Sequence, residues 1–206
     1  MNNNLLILGA GMFGTVVKEI AEEMGAFGKI DFLDDTFGSG EFEGNFHEQS
    51  IGKLEDYEKF IMDYKYAIVA IGDPDVRMEW TKKLMYVNYN VPGIVSKRAY
   101  LSNTAQLGRG VVVAPLAAVN PRAHVGEGTF VMANSVIDHH SFVADYCNIQ
   151  CGTVVMPSAA VPSFTKTEPN EVVRKYGYSF TLGTHNGETV FVGERIEITT
   201  DGNVEG

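Results

Sequence analysis

Two stretches of this chain carry groups whose type and spacing could do chemistry. The first is Gly9-Ala10-Gly11-Met12-Phe13-Gly14, a G-x-G-x-x-G pattern directly after the apolar run Leu5-Leu6-Ile7-Leu8. Small residues there let the backbone approach a phosphate, and the free N–H groups at a helix start favour an anion. A tight turn with close helix packing and no ligand needs the same glycines, so both readings stand. Acids fall near the end of the next apolar run, at Asp31, Asp34 and Asp35, where one could hold a ribose. Gly72-Asp73 follows a third run, and Asp73 suits either a helix cap or a ligand contact.

The second stretch is Asp138-His139-His140. A neutral imidazole titrates near working pH, so it can take a proton from an amine or a hydroxyl. The plainer alternative is a histidine that packs or faces solvent. Cys147 and Cys151 form a C-x3-C pair, but no coherent set of four ligands accompanies them. Packing is the better reading, and no metal is expected. His124 and His185 have no evident partners, and His47 lies in an acid-rich loop that reads as solvated.

The elements that must position these groups fall into two halves. Leu5–Leu8, Ile30–Leu33, Ala67–Ile71 and Val91–Val95 read as strands buried on both faces. Between them, Val16, Val17, Ile20, Ala21 and Met24 recur at helical spacing, with Gly25 as a stop. Leu54, Tyr57, Phe60, Ile61 and Tyr64 mark a second amphipathic helix, and Trp80, Leu84 and Met85 a third. This order predicts an α/β fold over residues 1–96, a small Rossmann-like parallel sheet with helices on both faces.

At about Ser96 the pattern changes. Every sixth residue from Leu101 (Leu107, Val113, Val119, Val125, Val131, Ile137, Val143, Ile149, Val155 and Val161) is Leu, Val or Ile. The position two before each is nearly always small. A period of six fits neither a helix nor an ordinary strand, but suits three flat faces with one aliphatic side chain each. Residues 97–161 are therefore expected to wind into a short left-handed parallel β-helix of six-residue repeats. The register is expected to stop at Val161, broken by Pro162 and Pro169. Residues 162–206 are expected to form a β-hairpin extension, with an Asn186-Gly187 turn between alternating apolar residues such as Val190, Val192, Ile196 and Ile198. Its expected partner is the open end of the β-helix.

Bulk composition narrows the class further. The 206 residues are 45% hydrophobic with a formal net charge of −10, which suits cored domains and disfavours a nucleic-acid partner. Leu5–Ala10 is too short for a signal-peptide core, and no run reaches the length of a membrane span. A cytoplasmic protein without membrane insertion is expected.

Several motifs together resemble a known family. They are the Gly9–Gly14 loop, Asp34-Asp35 closing the second strand, and Gly72-Asp73 with Arg77 after the third. Val91-Pro92-Gly93-Ile94-Val95 then leads into Ala99-Tyr100-Leu101-Ser102, and Asn134-Ser135-Val136-Ile137-Asp138-His139 follows in the second coil. In this order, over roughly residues 4–161, the chain resembles the sugar O- and N-acetyltransferases of the sialic acid and bacillosamine pathways. The resemblance implies that Gly9, Gly11, Met12, Phe13, Gly14, Asp34, Asp35 and Gly72 hold a uridine-diphosphate sugar. It implies that His139 is the general base, with Asp138 and His140 beside it. Acetyl-CoA would be the co-substrate, touched by Asn148 and Gly152, in a homotrimer built through the β-helix.

The chain departs from that family at four places. His140 stands where the family has a carboxylate, Asn148 where it has a second histidine, and Pro157 where it commonly has glycine with an N–H on the acetyl carbonyl. The family also continues with further coils where this chain has its tail. An acetyltransferase acting on a nucleotide-linked sugar is the first reading. A relative that keeps the trimeric scaffold and nucleotide pocket without binding acetyl-CoA is the second, and NAD binding the third.

Overall fold

The computed structural model describes residues 3–38, 50–174, 181–193, 197–198 and 204–205. His47, Tyr178 and Ile196 lie outside the described residues. The chain divides into two units, Met1–Lys97 and Arg98–Gly206.

The first unit is built on strand β1 (Leu5–Leu8), whose four residues are fully buried. Parallel neighbours β2 (Ile30–Leu33) and β4 (Tyr66–Val69) flank it, and β3 (Ser50–Gly52) extends the sheet beyond β2. Burial on both faces explains why β1 lacks polar alternation. Helix α1 (Met12–Met24) buries Val17, Ile20 and Ala21, and left-handed Gly25 ends it. Helix α2 (Pro74–Tyr86) starts on Asp73, whose carboxylate accepts from the N–H groups of Asp75 and Val76. Pro74 at the first helical position forfeits no bond there. Leu6, Leu8, Leu33, Leu54, Ala67, Val69 and Leu84 share one core, each buried leucine contributing about 1.5–3 kcal/mol.

Two expectations for this unit need correction, and one strand was not expected. Leu54–Phe60 is a 3-10 helix rather than an α-helix. Its apolar residues Leu54, Tyr57 and Phe60 are three apart, which lines up one side of a three-residue turn. Strand β3 went unforeseen because three residues carry too little pattern. Residues 91–95 do not join the sheet: only Asn90 bridges Tyr66, and Ile94–Val95 is a strand outside it.

The second unit is the left-handed parallel β-helix, and strands 18 residues apart pair in register, as in Val136↔Val154 and Ile137↔Val155. One face carries Tyr100–Leu101, Ala118–Val119, Val136–Ile137, Val154–Val155 and Val172–Val173. A second carries Gln106–Leu107, His124–Val125, Phe142–Val143 and Ala160–Val161. Val112–Val113, Phe130–Val131 and Asn148–Ile149 stand in the third. The inward aliphatics from Val113 to Val161 are all fully buried. The small residues two before them fit the corners, and the polar ones there bond across coils. Thr129 Oγ1 donates to Ala144 C=O at 2.9 Å and Ser135 Oγ to Gln150 C=O at 3.0 Å.

Each six-residue rung also spends one residue in the left-handed region. Gly110, Leu116, Arg122, Gly128, Asn134, His140, Tyr146, Gly152, Ser158, Phe164 and Asn170 all have φ between 55° and 72°. Side chains there cost about 1–2 kcal/mol each. The cost is offset by a coil-to-coil bond from the same residue's N–H, such as Tyr146 N to Glu127 C=O at 2.7 Å.

The register does not stop at Val161. Thr167 and Val173 occupy the next two inward positions, 1% and 2% exposed, and Val172–Val173 pairs with Val154–Val155. Threonine is tolerated inside because Thr167 Oγ1 meets Thr153 Oγ1 at 2.9 Å and accepts from Gln150 N–H at 2.9 Å. The prolines break nothing. Pro169 precedes left-handed Asn170, as Pro115, Pro121 and Pro157 precede Leu116, Arg122 and Ser158, the type II pattern that favours proline first. The corresponding strand N–H groups in earlier coils, such as Ala144 N to Val161 C=O, reach one coil onward; Pro162 directly follows Ala160–Val161, the last strand of its face among the described residues.

The tail does form hairpins. Thr181–His185 pairs antiparallel with Glu188–Val192 around Asn186-Gly187, both at positive φ as a type I′ turn requires. A shorter antiparallel pair joins Glu197–Ile198 to Val204–Glu205. Phe191 C=O accepts from Ser163 N–H at 2.8 Å, tying the first hairpin to the last coil. Its apolar contacts reach the side of the β-helix rather than the open end alone. Phe191 packs edge-on against Phe142 at 5.5 Å, and His185 lies over Phe164 at 4.2 Å. His124 stacks on Phe142 at 4.7 Å, so both histidines have aromatic partners.

Leu116 is 63% exposed at φ 62°, so its side chain pays for a left-handed corner with little burial in return. Leu116→Asn should raise stability by about 1 kcal/mol in denaturant unfolding; an unchanged or lower midpoint would contradict this account of the corners.

Candidate active site

In the first unit, Gly9, Gly11, Met12, Phe13, Gly14, Asp34 and Gly72 come together beyond the carboxyl ends of β1, β2 and β4, where open α/β sheets bind ligands. The three glycines have different reasons. Gly9 has φ 104°, a conformation that side chains rarely adopt. Gly14 is buried, and a Cβ there would stand 2.2 Å from Gly9 O and 3.1 Å from the Phe32 ring. Gly11 has an ordinary φ of −75°, and none of the described residues comes within 4 Å of its would-be Cβ. Packing within the chain therefore accounts for Gly14, while open space lies over Gly11. Met12 beside it is 83% exposed, and the Phe13 ring lies 3.4 Å from the position a Gly72 Cβ would take.

The acids divide labour too. Asp34 Oδ2 accepts from Ala10 N–H at 2.7 Å, while Oδ1 accepts from Thr36 N–H at 3.0 Å and Thr36 Oγ1 at 2.6 Å. It clamps the glycine loop and occupies the Ala10 N–H. Asp35 Oδ1 accepts from Leu54 N–H at 3.2 Å, at the start of the 3-10 helix. Asp31 accepts from the Tyr64 hydroxyl at 2.5 Å and pairs with Lys29 at 3.0 Å. Asp73 serves as the helix cap. Arg77 is buried, with Nη1 donating to Ile71 C=O at 2.6 Å and Gly72 C=O at 3.1 Å, which holds the end of β4.

In the second unit, His139 and His140 are the two residues of one corner, between Ile137 and Phe142, and both are exposed. Their Nδ1 atoms lie 3.1 Å apart, with the rings edge-on. His140 thus holds the ring nitrogen that a carboxylate would hold. Asp138 does not: its Oδ1 accepts from the His139 backbone N–H at 2.7 Å and from Asn120 Nδ2 at 2.8 Å. The Asn120 bond, the His139 N–H and the nearby His139 ring hold the Asp138 carboxyl below its ordinary value of 3.8. Asp145 lies at the next corner, where Oδ1 accepts from Glu127 N–H at 2.7 Å.

Pro157 lies one coil beyond His139 and offers no N–H. The adjacent Ser158 N–H is bonded to His139 C=O at 3.2 Å. Asn148 is buried, 5% exposed, on the third face. Gly152 occupies the corner between the third and first faces, where a Cβ would meet Asn170 Oδ1 at 2.2 Å. One protomer therefore does not gather Asn148 and Gly152 at the His139 corner. Cys147 is buried with Sγ on Pro162 C=O at 3.0 Å, and Cys151 is exposed. Among the described residues no group of three or more His, Cys, Asp or Glu could hold a metal, and no helix is long and apolar enough to cross a membrane.

Two residues of this corner escape a reading along the chain: Asn120, and Arg122, whose Nη1 stands 3.4 Å from His140 Nε2. Both lie 18 residues before their partners, so counting by one coil would have found them.

Residues 4–84 match the family model described as the PglD N-terminal domain. That match spans most of the first unit and less than half of the chain. Among solved structures, the chain is similar to the acetyltransferase domain of PglB from Neisseria gonorrhoeae FA1090 in complex with acetyl coenzyme A. The TM-score is 0.77 at 24% identity, covering 85% of this chain and 83% of that one. It is also similar to PerB from Caulobacter crescentus in complex with CoA and GDP-perosamine, with TM-score 0.66 and 20% identity over 84% of this chain and 89% of that one. At these identities the likeness establishes the fold alone, a Rossmann-like domain followed by a β-helix, which is the fold that the resemblance read from the motifs implies.

The glycine assignments can be separated by mutation. Gly14→Ala in the first unit should cost about 1–3 kcal/mol through overpacking. Gly11→Ala should stay within about 1 kcal/mol of wild type, the scale of an N-cap change, while weakening whatever occupies the space above it. Equal destabilisation by both, read by thermal unfolding, would contradict the distinction.

A lowered Asp138 pKa contributes stability above the unfolded-state value and loses it as pH falls through the folded-state value. Asp138→Ala should therefore be less stable than wild type at neutral pH, with the gap closing through the acid range below 3.8. A gap independent of pH would refute a charged role for this carboxylate.

Proposed function

We propose that this chain is an acetyltransferase that moves an acetyl group from acetyl-CoA to an amine or hydroxyl of a nucleotide-linked sugar. It acts as a cytoplasmic homotrimer assembled through the β-helix, without nucleic acid, membrane insertion or a metal. The observation that carries the reading is His139 at an exposed corner with its Nδ1 engaged by His140. A ring so oriented turns its other nitrogen outward, where a proton would be exchanged with the acceptor. The likeness to a domain solved with acetyl coenzyme A and to a protein solved with GDP-perosamine supports both substrate classes. The open space over Gly11 and the C-terminal strand ends support nucleotide-sugar binding in the first unit. Met12, Phe13 and Gly72 line the loop, and Asp34 keeps it in shape. Asp35 belongs to the support of that loop's neighbour rather than to a ligand.

In the reaction, the acceptor lone pair attacks the thioester carbonyl carbon while His139 takes the acceptor's proton. The C–S bond then breaks, and the departing thiolate receives that proton as coenzyme A. Asn148 and Gly152 lie away from the His139 corner, so in a trimer they would serve a neighbouring copy's site.

One observation favours the second reading, a relative that binds the nucleotide sugar and not acetyl-CoA. Pro157 lacks an N–H and the Ser158 N–H is already bonded, so no amide at that corner is free for an oxyanion. Loss of one such donor slows acyl transfer by about 10²–10³. A thermal-shift series separates the two, because a ligand present at 100 times its Kd stabilises by about 2.7 kcal/mol. The transferase reading expects shifts with both a nucleotide sugar and acetyl-CoA. It also expects His139→Ala to abolish transfer while the trimer's mass is unchanged. A nucleotide shift without any coenzyme A shift would establish the second reading.

A further inference from the structure

Arg122 takes no part in the acetyl-transfer step itself, yet its position constrains the proton on His139. A guanidinium carries donors only and stays protonated. Its contact of 3.4 Å to His140 Nε2 therefore requires a lone pair on that nitrogen. The proton of a neutral His140 is then on Nδ1, facing His139 Nδ1 at 3.1 Å. His139 Nδ1 must accept it. The proton of a neutral His139 is left on Nε2, the nitrogen that His140 does not engage.

We infer that Arg122 is a positioning residue that, through His140, locks His139 in the Nε2–H tautomer. The functional meaning rests on the acetyl-transfer reading of His139. In the locked state its outward nitrogen donates a hydrogen bond and has no lone pair for a substrate proton. Base catalysis needs the opposite arrangement, with His139 Nδ1–H donating to His140 Nδ1 and the His140 proton on Nε2. That last proton would point at the Arg122 guanidinium, donor against donor. Arg122 must leave His140 before His139 can act, and all three residues are exposed enough to let it. Once it has left, the substrate proton passes to His139 Nε2 while the Nδ1 proton stays in the bond to His140. A residue one coil away thus sets whether the base is armed.

Selective 15N labelling of the five histidines in the full chain reads which nitrogen bears the proton. His139 is assigned by the signals lost in His139→Gln. The measurement belongs at about pH 8, above the ordinary imidazole value near 6.5. His139 should be protonated at Nε2 in wild type and in Arg122→Lys, which keeps a donor-only group. In Arg122→Gln, whose amide can donate or accept, the tautomer ratio should move at least about threefold toward Nδ1–H. Turnover should rise by a similar factor, in kcat rather than in KM for acetyl-CoA. Nδ1–H already dominant in wild type, a ratio unmoved in Arg122→Gln, or a kcat that falls as the ratio shifts would overturn the lock. A shifted ratio with no acetyl transfer by any variant, wild type included, would leave the lock standing and remove the transferase reading instead.

Discussion

The hydrogen-bond ladder between successive coils is the constraint on which the second unit depends. Each strand N–H reaches a carbonyl about one coil onward, as in Val136 N to Thr153 C=O at 2.8 Å and Asp138 N to Val155 C=O at 2.9 Å. That ladder holds only if every rung has the same length, and constant length requires one left-handed residue every six. Side chains cannot then choose neighbours freely. A residue is stacked on whatever lies 18 positions away, so corner chemistry is assembled from residues distant in sequence. Asn120 meets Asp138 and Arg122 meets His140 for this reason alone. The same ladder occupies the Ser158 N–H with His139 C=O, so a backbone donor is withdrawn from the site by the fold that builds it.

The β-helix was legible because its inward positions demand aliphatic side chains at a period no other structure uses. Legibility failed where a polar group satisfied itself inside. Thr167 breaks a Leu/Val/Ile count, but its hydroxyl meets that of Thr153 in the same buried layer, and nothing along the chain announces that pairing. Pro162 and Pro169 misled for a related reason. Proline is a breaker only where its missing N–H or fixed φ matters, and a left-handed corner or an outermost strand needs neither. The Asn186-Gly187 turn could be read because two consecutive positive φ values leave few residue choices.

The glycine loop shows a different limit. Its location was plain from strand, glycines and helix, yet three glycines that look alike serve a positive φ, a close approach and an open surface. Asp34 and Asp35, adjacent and chemically identical, accept from different parts of the backbone. Only coordinates distinguish a carboxylate that builds a site from one available to a ligand, because a lone pair spent on a backbone amide leaves no trace in composition.

At the histidine corner, two roles usually joined in one group are split between neighbours. A carboxylate beside a catalytic imidazole both orients the ring and stabilises the imidazolium that forms. His140 orients the ring at 3.1 Å but brings no negative charge. Asp138 supplies charge, kept ionised by Asn120 and by the His139 N–H, and it interacts with His139 through space without bonding to its ring. Orientation then depends on a neutral ring whose proton can sit on either nitrogen, whereas a carboxylate only accepts. A histidine partner, unlike a carboxylate, therefore admits a choice of tautomer at this corner, and the stacked coil places Arg122, a group that can only donate, beside it.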